Sequence, residues 1–440
     1  MIQYMRLGKV PPKQHVTFYD EGKLLMEQCF TREGFEGPYS ILYFRQPPTD
    51  ENAVEILSIP GFCPFEQLAE QPLYRRHIKT QNMKASGDFL DARRVLMLNS
   101  DVQMCMVKPT EQSTRFFVNG DGDELYFIYK GTGRIESMFG VTPFRERDYV
   151  LIPRGTPYRI AWDDGRVGSA HQAGESGSSG SIGAAGRKVG GAHPTSNSVS
   201  PEYLVFEGRG WIDIPKEYRN RNGQITDYAP FCNRDFRGPE KLLEYSEKSH
   251  GKAPFKLVVK RDDKLTVHLF KHFPHDVAGW DGSVYPVAFN IHDYQPKTAS
   301  VHLPPTIHIT FAGNEFVVCS FVPRKVDYYD KDGIKAIPCP YGHASVHMDE
   351  ILFYVDGNFT SRKGIDSDSI SLHPAGIPHG PHPGTYEKSI GHDRTSELAV
   401  MCDTYKQLKL TKFAHELEDK DYHLTWVSKE AGEADTPGAR

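Results

Sequence analysis

The chain has 440 residues, of which 38% are hydrophobic and 25% are charged, so it is long enough to bury a large core and to form two domains. Its formal net charge of -5 excludes the strongly basic balance that nucleic-acid-binding proteins usually show, so no nucleic-acid partner is expected. No apolar run is long enough to span a bilayer, the N-terminal residues lack the apolar stretch of a secretory signal, and the 7 cysteines include no Cys-x-x-Cys pair. We therefore expect a cytoplasmic protein with reduced thiols and no membrane partner.

Short strand-like runs, separated by turn residues, occur along the whole chain. The content of 39 Gly, 31 Pro and 12% aromatic residues favours short strands over long helices, because Gly and Pro interrupt helices and aromatic rings suit pleated surfaces. Helical spacing of apolar residues predicts helices only at 63–80 and 406–419. The predicted fold is mainly β, a sandwich or barrel with a few peripheral helices, and its clearest strands lie at 40–44, 115–131, 148–162, 264–270, 314–322 and 350–359.

A segment at 165–200 is rich in Gly and Ser and almost free of large apolar side chains. Such a composition does not bury enough apolar surface to offset the entropy of ordering, so we expect a flexible surface loop. Long loops add little closure entropy, which favours a tolerated insertion over a regulatory segment. His171 and His193, which lie inside this segment, are poor candidates for metal ligands.

The chain contains an internal repeat. Residues 120–131 and 347–357 share Asp-Glu, a run of apolar and aromatic residues, and Gly; residues 148–158 and 369–379 share a strand that leads into Pro-x-Gly-x-x-Tyr or Pro-x-Gly-x-x-His. We expect two copies of one β-unit, the first in an N-terminal domain at 1–270 and the second in a C-terminal domain at 271–440. In each copy, the acidic strand and the Pro-Gly corner can meet only if their strands are neighbours in a rolled sheet.

Candidate metal ligands occur in the second copy alone. His343, Glu350 and His379 supply two imidazoles and one carboxylate, which leaves other coordination positions open and suits Fe(II). Zinc is held more often in a closed tetrahedral site. The first copy keeps Glu124, but its corner ends in Tyr158 and no histidine shortly precedes the glutamate. We therefore expect metal in the second half only.

Two further histidines leave the ligand assignment open. His347 lies an odd number of residues from Glu350 and on a straight strand would face the other side of the sheet, whereas His343 reaches the metal only if the chain bends between them. His382 lies between prolines just past the corner, and the preceding Pro-x-Gly favours His379 over it.

All but four of the 19 histidines lie from residue 250 onward, which indicates a polar catalytic pocket in the second half. The histidines at 268–275 and 300–309 lie in strand-like context, where an imidazole bonded to a backbone carbonyl is the commoner outcome. We interpret them as structural and assign neither segment a catalytic role.

A resemblance to a known family appears at the candidate ligands. The sequence PYGHASVHMDEILFYVDGNFTSRKG at 340–364, followed by ISLHPAGIPHGPHPG at 370–384, resembles the catalytic half of homogentisate 1,2-dioxygenase. Further similarity covers nearly the whole chain except the Gly- and Ser-rich segment, at 6–35, 222–239, 286–294 and 321–326. The resemblance implies a two-part, cupin-like β fold of the jelly-roll type, with a first unit that holds no metal. It also implies a non-haem Fe(II) enzyme of tyrosine and phenylalanine breakdown, which opens the ring of homogentisate with O₂ to give maleylacetoacetate.

The resemblance implies roles for individual residues. By motif position, the iron ligands of the family fall on His343, Glu350 and His379, and the bacterial spacing of a His, six residues and Glu favours His343 over His347. His292 falls on the active-site histidine that acts on the substrate hydroxyl. The substrate-contacting histidine before the Pro-Gly corner falls on His373.

Phe359 stands where many relatives have tyrosine, so contacts made by that hydroxyl do not carry over. The aromatic acid could therefore be another hydroquinone-type compound, such as gentisate. A metal-free cupin that only binds a ligand is a further alternative, which the retained His, Glu and His in the second copy disfavour. Relatives assemble as trimers paired into hexamers, so the resemblance implies a homo-oligomer whose partners are a small aromatic acid and O₂.

Overall fold

The computed structural model of the chain describes residues 3–57, 65–69, 72–163, 200–300, 302–303, 305–359 and 362–427. The predicted flexible loop at 165–200 lies outside the described residues, apart from residue 200. Within the described ranges, no helix has the length and apolar character that a bilayer crossing requires.

Short strands make up most of the secondary structure of the described residues. The strands before the Gly- and Ser-rich segment are β1 (Met5–Gly8), β2 (Tyr19–Asp20), β3 (Lys23–Leu24), β4 (Met26–Thr31), β5 (Tyr39–Phe44), β6 (Ala53–Leu57), β7 (Arg76–Ile78), β8 (Arg93–Leu98), β9 (Val102–Val107), β10 (Phe116–Asn119), β11 (Asp123–Lys130), β12 (Gly133–Ser137), β13 (Gly140–Phe144), β14 (Asp148–Ile152) and β15 (Tyr158–Trp162). The strands after it are β16 (Glu202–Gly208), β17 (Phe236–Arg237), β18 (Phe255–Arg261), β19 (Lys264–Phe270), β20 (Val277–Gly282), β21 (Val287–Asn290), β22 (Ile309–Gly313), β23 (Phe316–Phe321), β24 (Asp330–Lys331), β25 (Ile334–Lys335), β26 (Asp349–Asp356), β27 (Ser369–His373), β28 (Leu398–Thr404) and β29 (Lys409–Leu410).

Helices are short and peripheral. The α-helices of the described residues are α1 (Glu247–His250), α2 (Thr385–Ser389) and α3 (Lys412–Glu416). Single 3₁₀ turns lie at Thr80–Asn82, Lys216–Tyr218, Asn233–Asp235, Ile291–Asp293, Pro305–His308 and Tyr422–Trp426.

Two large sheets build the first half. One has eight strands in the order β17-β21-β14-β11-β16-β9-β8-β29, and the other has seven in the order β13-β12-β15-β10-β18-β19-β6. A buried apolar cluster contains side chains from both sheets, among them Tyr126, Tyr203, Ile160 and Val258. A smaller sheet, in the order β1-β20-β5-β4, joins N-terminal strands to β20.

The second half repeats part of this arrangement. Its six-stranded sheet has the order β22-β23-β28-β26-β27-β7, and the first five strands correspond one by one to β8-β9-β16-β11-β14. In the first half Glu124 is paired with Ile152 and Glu207, and in the second half Glu350 is paired with His373 and Asp403. The predicted repeat is therefore present as five matching antiparallel strands.

The two repeats pack back to back through alternate residues of their central strands. Leu125, Phe127 and Tyr129 of β11 belong to the same buried cluster as residues of β26. The ring centroid of Phe353 lies 6.3 Å from that of Phe127 and 5.2 Å from that of Tyr129. Because side chains alternate along a strand, the glutamates near the start of β11 and β26 face the interior of their own half. The predicted two-part, cupin-type β fold is confirmed.

Strands are exchanged across the predicted domain boundary between 270 and 271. β7 pairs with β27 in the sheet of the second half, whereas β21 pairs with β14 and β29 pairs with β8 in the eight-stranded sheet. The boundary stays a prediction, but neither sheet is built from one continuous stretch of chain.

The helix predictions are only partly correct. The described part of 63–80 contains β7 and no α-helix, so that prediction is wrong. Pro72 has no N–H to donate to a helix, and pairing with β27 satisfies the backbone of β7 instead. Within 406–419 a helix forms only as α3, where the Thr411 hydroxyl caps it by accepting a hydrogen bond from the Ala414 N–H at 3.1 Å.

Candidate metal centre

Glu350 is a buried residue at the start of β26. The carboxylate of the preceding Asp349 accepts hydrogen bonds from the backbone N–H groups of Ala375 and Leu408, both at 2.7 Å. These bonds fix the strand where Glu350 turns into the interior beside His373 of β27. Alternation along the strand therefore separates the two acidic side chains onto opposite faces.

His343 and His379 are held opposite each other by a backbone bridge. The N–H of His343 donates to the carbonyl of His379 at 2.8 Å, and the N–H of His379 donates to the carbonyl of His343 at 2.7 Å. Nδ1 of His343 lies 3.2 Å from the Tyr341 carbonyl oxygen, and Nδ1 of His379 lies 3.0 Å from that of Ile377. A carbonyl only accepts, so in the neutral rings Nδ1 carries the proton and Nε2 offers a lone pair.

The two imidazoles and the carboxylate converge. Nε2 of His343 lies 3.6 Å from Oε2 of Glu350, and Nε2 of His379 lies 3.7 Å from Oε1. One ligand atom from each residue lies within 4.8 Å of the others. Nε2 of His379 is buried and has no hydrogen-bond partner among the described residues, a costly state that a bound metal ion would relieve. The donor set fits a divalent transition metal.

The charges around the cluster favour a cation. Burial opposes ionisation of Glu350, but the nearby imidazoles of His343, His373 and His379 outweigh it and hold the pKa of this carboxyl well below its usual value. Asp403 lies on the neighbouring strand β28, directly opposite Glu350 in the sheet register. Burial, together with the charge of Glu350, raises the pKa of Asp403 to about 8. Among the described residues, neither carboxyl forms an ion pair with a lysine or an arginine.

His373 lies behind the cluster. Its Nδ1 is 2.7 Å from Oε1 of Glu350, and its ring stacks on that of His379 at a centroid distance of 4.8 Å. His373 is fully buried and does not line the cavity described below, so the structure supports a role in orienting Glu350. The predicted contact between His373 and the substrate stays a prediction.

The two alternative histidines lie elsewhere. His347 is exposed, and it is not part of the convergent group. Nε2 of His382 lies 2.8 Å from the Thr425 hydroxyl, and its ring stacks on Trp426 at 3.8 Å. Of the five candidates, the structure brings together His343, Glu350 and His379.

A cavity opens beside the cluster. It offers about 90 Å³ to water-sized molecules and is partly open to solvent. Glu350 and His343 form one wall, and apolar side chains form much of the remainder. The polar and cationic groups among its other lining residues include His302, His308, Arg324 and Arg362.

His302, and not His292, lines this cavity. His292 is exposed on the 3₁₀ turn Ile291–Asp293 and is not among the lining residues. Nδ1 of His302 lies 3.2 Å from Oδ2 of Asp327, and its ring centroid lies 4.7 Å from that of Tyr341. The structural interpretation of 300–309 stays a prediction, although His302 lies on the cavity wall. The prolines at 304–305 were the available signal, because they disfavour a regular strand at this point.

The equivalent position in the first half contains an arginine. The terminal nitrogens of Arg93, from β8, donate to Glu124 and to Oε2 of Glu207, the second contact at 2.9 Å. Lys260 also donates to Glu207, at 2.5 Å. All four side chains are buried, so permanent cations of the chain neutralise the two carboxylates.

The two imidazole positions have also changed in the first half. The hydroxyl of Tyr158 donates to Oε2 of Glu124 at 2.7 Å and stands where His379 stands in the second half. Phe117 pairs with Tyr158 as His343 pairs with His379, and both precede their glutamate by the same number of residues. The first half thus lacks both imidazole ligands.

The matched sheets and the His/Glu cluster define a two-part cupin-type protein with a candidate metal site. A family model described as "Homogentisate 1,2-dioxygenase C-terminal" matches residues 284–432. A protein of Saccharolobus solfataricus named "Putative dioxygenase" is 34% identical over 97% of this chain and 100% of its own length. The chain belongs to the homogentisate 1,2-dioxygenase family, as the resemblance predicted, and its relatives make it a dioxygenase by class.

More distant relatives match less of their own length. The homogentisate 1,2-dioxygenase of Rhizobium leguminosarum bv. trifolii is 28% identical over 74% of this chain, which spans 65% of that relative. Among solved structures, a cupin 2 conserved barrel domain protein from Leptotrichia buccalis matches 76% of this chain and 99% of its own, with 9% identity and a TM-score of 0.29.

Proposed function

We propose that this protein is an Fe(II)-dependent dioxygenase that opens the ring of homogentisate with O₂ to give maleylacetoacetate, a step of tyrosine and phenylalanine breakdown. The observation that carries the proposal is the convergence of His343, Glu350 and His379 on one point at the wall of a cavity. Family membership supplies the reaction class. A cytoplasmic homo-oligomer, a trimer or a hexamer, is part of the same proposal and rests on resemblance.

In the proposed enzyme the three side chains hold the ferrous ion. When bound, Fe(II) supplies open coordination positions and redox chemistry for an aromatic substrate and O₂. His373 and the carbonyls of Tyr341 and Ile377 fix the orientation of the ligand side chains before the metal arrives.

Arg362 is the proposed anchor for the substrate carboxylate. Its Nε donates to the Tyr354 hydroxyl at 3.3 Å, and a terminal nitrogen donates to the Gly380 carbonyl. It forms no ion pair with a carboxylate of the described residues, whereas Arg324, on the same cavity, lies 3.3 Å from Glu397. A guanidinium without a carboxylate partner favours an anionic ligand. Phe359 adds an apolar ring to the wall, so an aromatic acid fits both features.

His302 is the proposed base. It lines the cavity, and Asp327 orients it through Nδ1, which leaves Nε2 able to accept a phenolic proton. An imidazole titrates near neutrality and suits this task. His292, predicted for the same task from the resemblance, remains a competing candidate.

Anaerobic reconstitution with Fe(II), followed by O₂ uptake and ultraviolet absorbance, tests the proposal. Homogentisate is expected to give stoichiometric O₂ uptake and a ring-opened product, whereas gentisate is expected to give neither. Product from gentisate alone would make gentisate the substrate and leave the proposed ring-opening reaction class unchanged. Bound iron without turnover of either acid would favour a binding-only cupin.

In the Arg362→Met variant, loss of a charged hydrogen-bond donor is expected to raise the KM for homogentisate by roughly 10- to 100-fold.

A further inference from the structure

Equivalent cavities lie behind the two Asp-Glu pairs, on the face opposite the glutamates. The first is lined by Asp123 and Trp211, and the second is lined by Asp349 and Gln407. Their other matched walls are Leu151 and Leu372, Pro153 and Pro374, and Ile212 and Leu408. The strand register supports these equivalences, because Ile152 and His373 pair with the matching glutamates.

A guanidinium group occupies the first cavity. The two terminal nitrogens of Arg32 donate to the two oxygens of Asp123 at 2.7 and 2.6 Å, a bidentate pair. The guanidinium carbon lies 4.7 Å from the centre of the Trp211 ring. The same carboxylate oxygens accept backbone N–H groups, from Arg154 at 2.7 Å and from Ile212 at 2.8 Å. Each oxygen thus has one backbone donor and one guanidinium donor.

The second cavity has the same carboxylate and the same backbone donors. Asp349 is 4% exposed, and its oxygens accept the N–H groups of Ala375 and Leu408, both at 2.7 Å. Among the described residues, no basic nitrogen lies within ion-pair distance of Asp349. The cavity offers about 370 Å³ to water-sized molecules and is partly open to solvent. A buried carboxylate with one lone pair used on each oxygen therefore faces an open cavity.

The other charges of this cavity do not supply the missing partner. Arg76 lines it but is paired with Glu418 at 2.8 Å. Lys409 lines it and is exposed. The residue equivalent to Lys409 is Asp213, which pairs with Arg219 in the first half.

We propose that the second cavity is a binding site for a guanidinium group, held bidentately by Asp349 as Arg32 is held by Asp123. The group comes from a free ligand, such as a small guanidino compound, or from an arginine side chain of a second copy of this chain. In either case it binds on the strand that carries Glu350, one residue away and on the opposite face.

Calorimetric titration of the purified full chain with methylguanidinium tests the free-ligand source, and N-methylurea is the neutral isosteric control. The expected result is one saturable site for methylguanidinium and none for N-methylurea. Asp349→Asn removes the charge and is expected to weaken binding at least tenfold. Undiminished binding in a folded Asp349→Asn variant would overturn the site.

Gln407→Trp keeps the test decisive if Asp349→Asn does not fold. Gln407 is exposed, and tryptophan there would restore the ring that Trp211 gives the first cavity. The expected result is a several-fold tighter Kd for methylguanidinium, with no effect on N-methylurea. An unchanged Kd for methylguanidinium would contradict the proposal.

Sedimentation velocity tests the second-copy source. If an arginine of another copy fills the cavity, methylguanidinium at millimolar concentration is expected to lower the oligomeric state of the wild-type chain, and N-methylurea is not. The proposal would be overturned if methylguanidinium showed no saturable binding and also left the oligomeric state unchanged.

Discussion

Two strands that both begin with Asp-Glu, β11 and β26, place a glutamate at equivalent points of two different sheets, with different partners. In the first half, Arg93 neutralises Glu124 and Glu207 permanently. In the second half, Glu350 and Asp403 have no such cation among the described residues, and two imidazoles face the glutamate instead. The comparison teaches that an arginine in one half takes the place proposed for a metal in the other.

Removing a proposed ligand should have the largest effect. His379→Ala is expected to lose stoichiometric iron, together with more than about 100-fold of the activity, since even partners of metal ligands cost roughly 10- to 100-fold. Iron per chain, measured by elemental analysis, checks this. Tyr158→Phe, at the equivalent position of the first half, is the matched control and should keep its iron. Full iron in His379→Ala would move the assignment toward His382.

Removing the arginine should affect stability and leave the metal content unchanged. Arg93→Met leaves buried carboxylates without their guanidinium, so we expect the free energy of unfolding to fall by about 3–5 kcal/mol. Urea denaturation measures the change. Arg134→Met breaks a partly exposed pair with Glu136 and should cost less than about 1 kcal/mol. Similar losses in the two variants would mean that Arg93 does not act as the internal cation.

The base assignment predicts a smaller effect on turnover alone. His302→Ala is expected to keep its iron and lose about 100-fold in kcat, the lower range for a general base. His292→Ala should stay near wild type in single-turnover kinetics. The reverse pattern would support the role that the resemblance gives to His292.

Acid should weaken the first half slightly through its internal ion pairs. Burial opposes ionisation of Asp263, but Lys260, at 2.9 Å, outweighs it and lowers the pKa of Asp263 from 3.8 to about 2. A lowered carboxyl pKa stabilises the fold above the unfolded value, so this contribution is complete above pH 3.8 and is lost as the pH falls through 2. We expect at most about 2 kcal/mol, because Asp263 is partly exposed. Urea midpoints at pH 5 and pH 2.5 should differ less in Asp263→Asn than in wild type.

The sequence predicts the strands and the repeat because both depend on local patterns. Asp-Glu before an apolar run and Pro-x-Gly at the corner are visible in the chain, and the resulting strands β11, β14, β26 and β27 pair as expected. The short helices were harder to predict, because sheet pairing of β7 outweighed the helical spacing of 63–80.

The partners of the glutamates could not be predicted in the same way. Arg93 and Glu207 reach Glu124 from strands that are distant in sequence, and only the sheet order brings them together. The sequence does not reveal that Phe117 and His343 occupy equivalent positions, because a phenyl ring and an imidazole have no functional group in common. His302 was missed because it lies outside the strands of the described residues and still lines the cavity.

The aspartates that precede both glutamates have a wider consequence. Asp123 and Asp349 tie together the same three segments of backbone in each half, while the adjacent glutamate is left for chemistry. The aspartate thus holds the backbone in place, and the glutamate beside it is free to take a different role in each half. A duplicated unit of this kind can lose its catalytic residues and keep its fold. Substitutions at the glutamate and its partners can then introduce a new activity without disturbing the backbone.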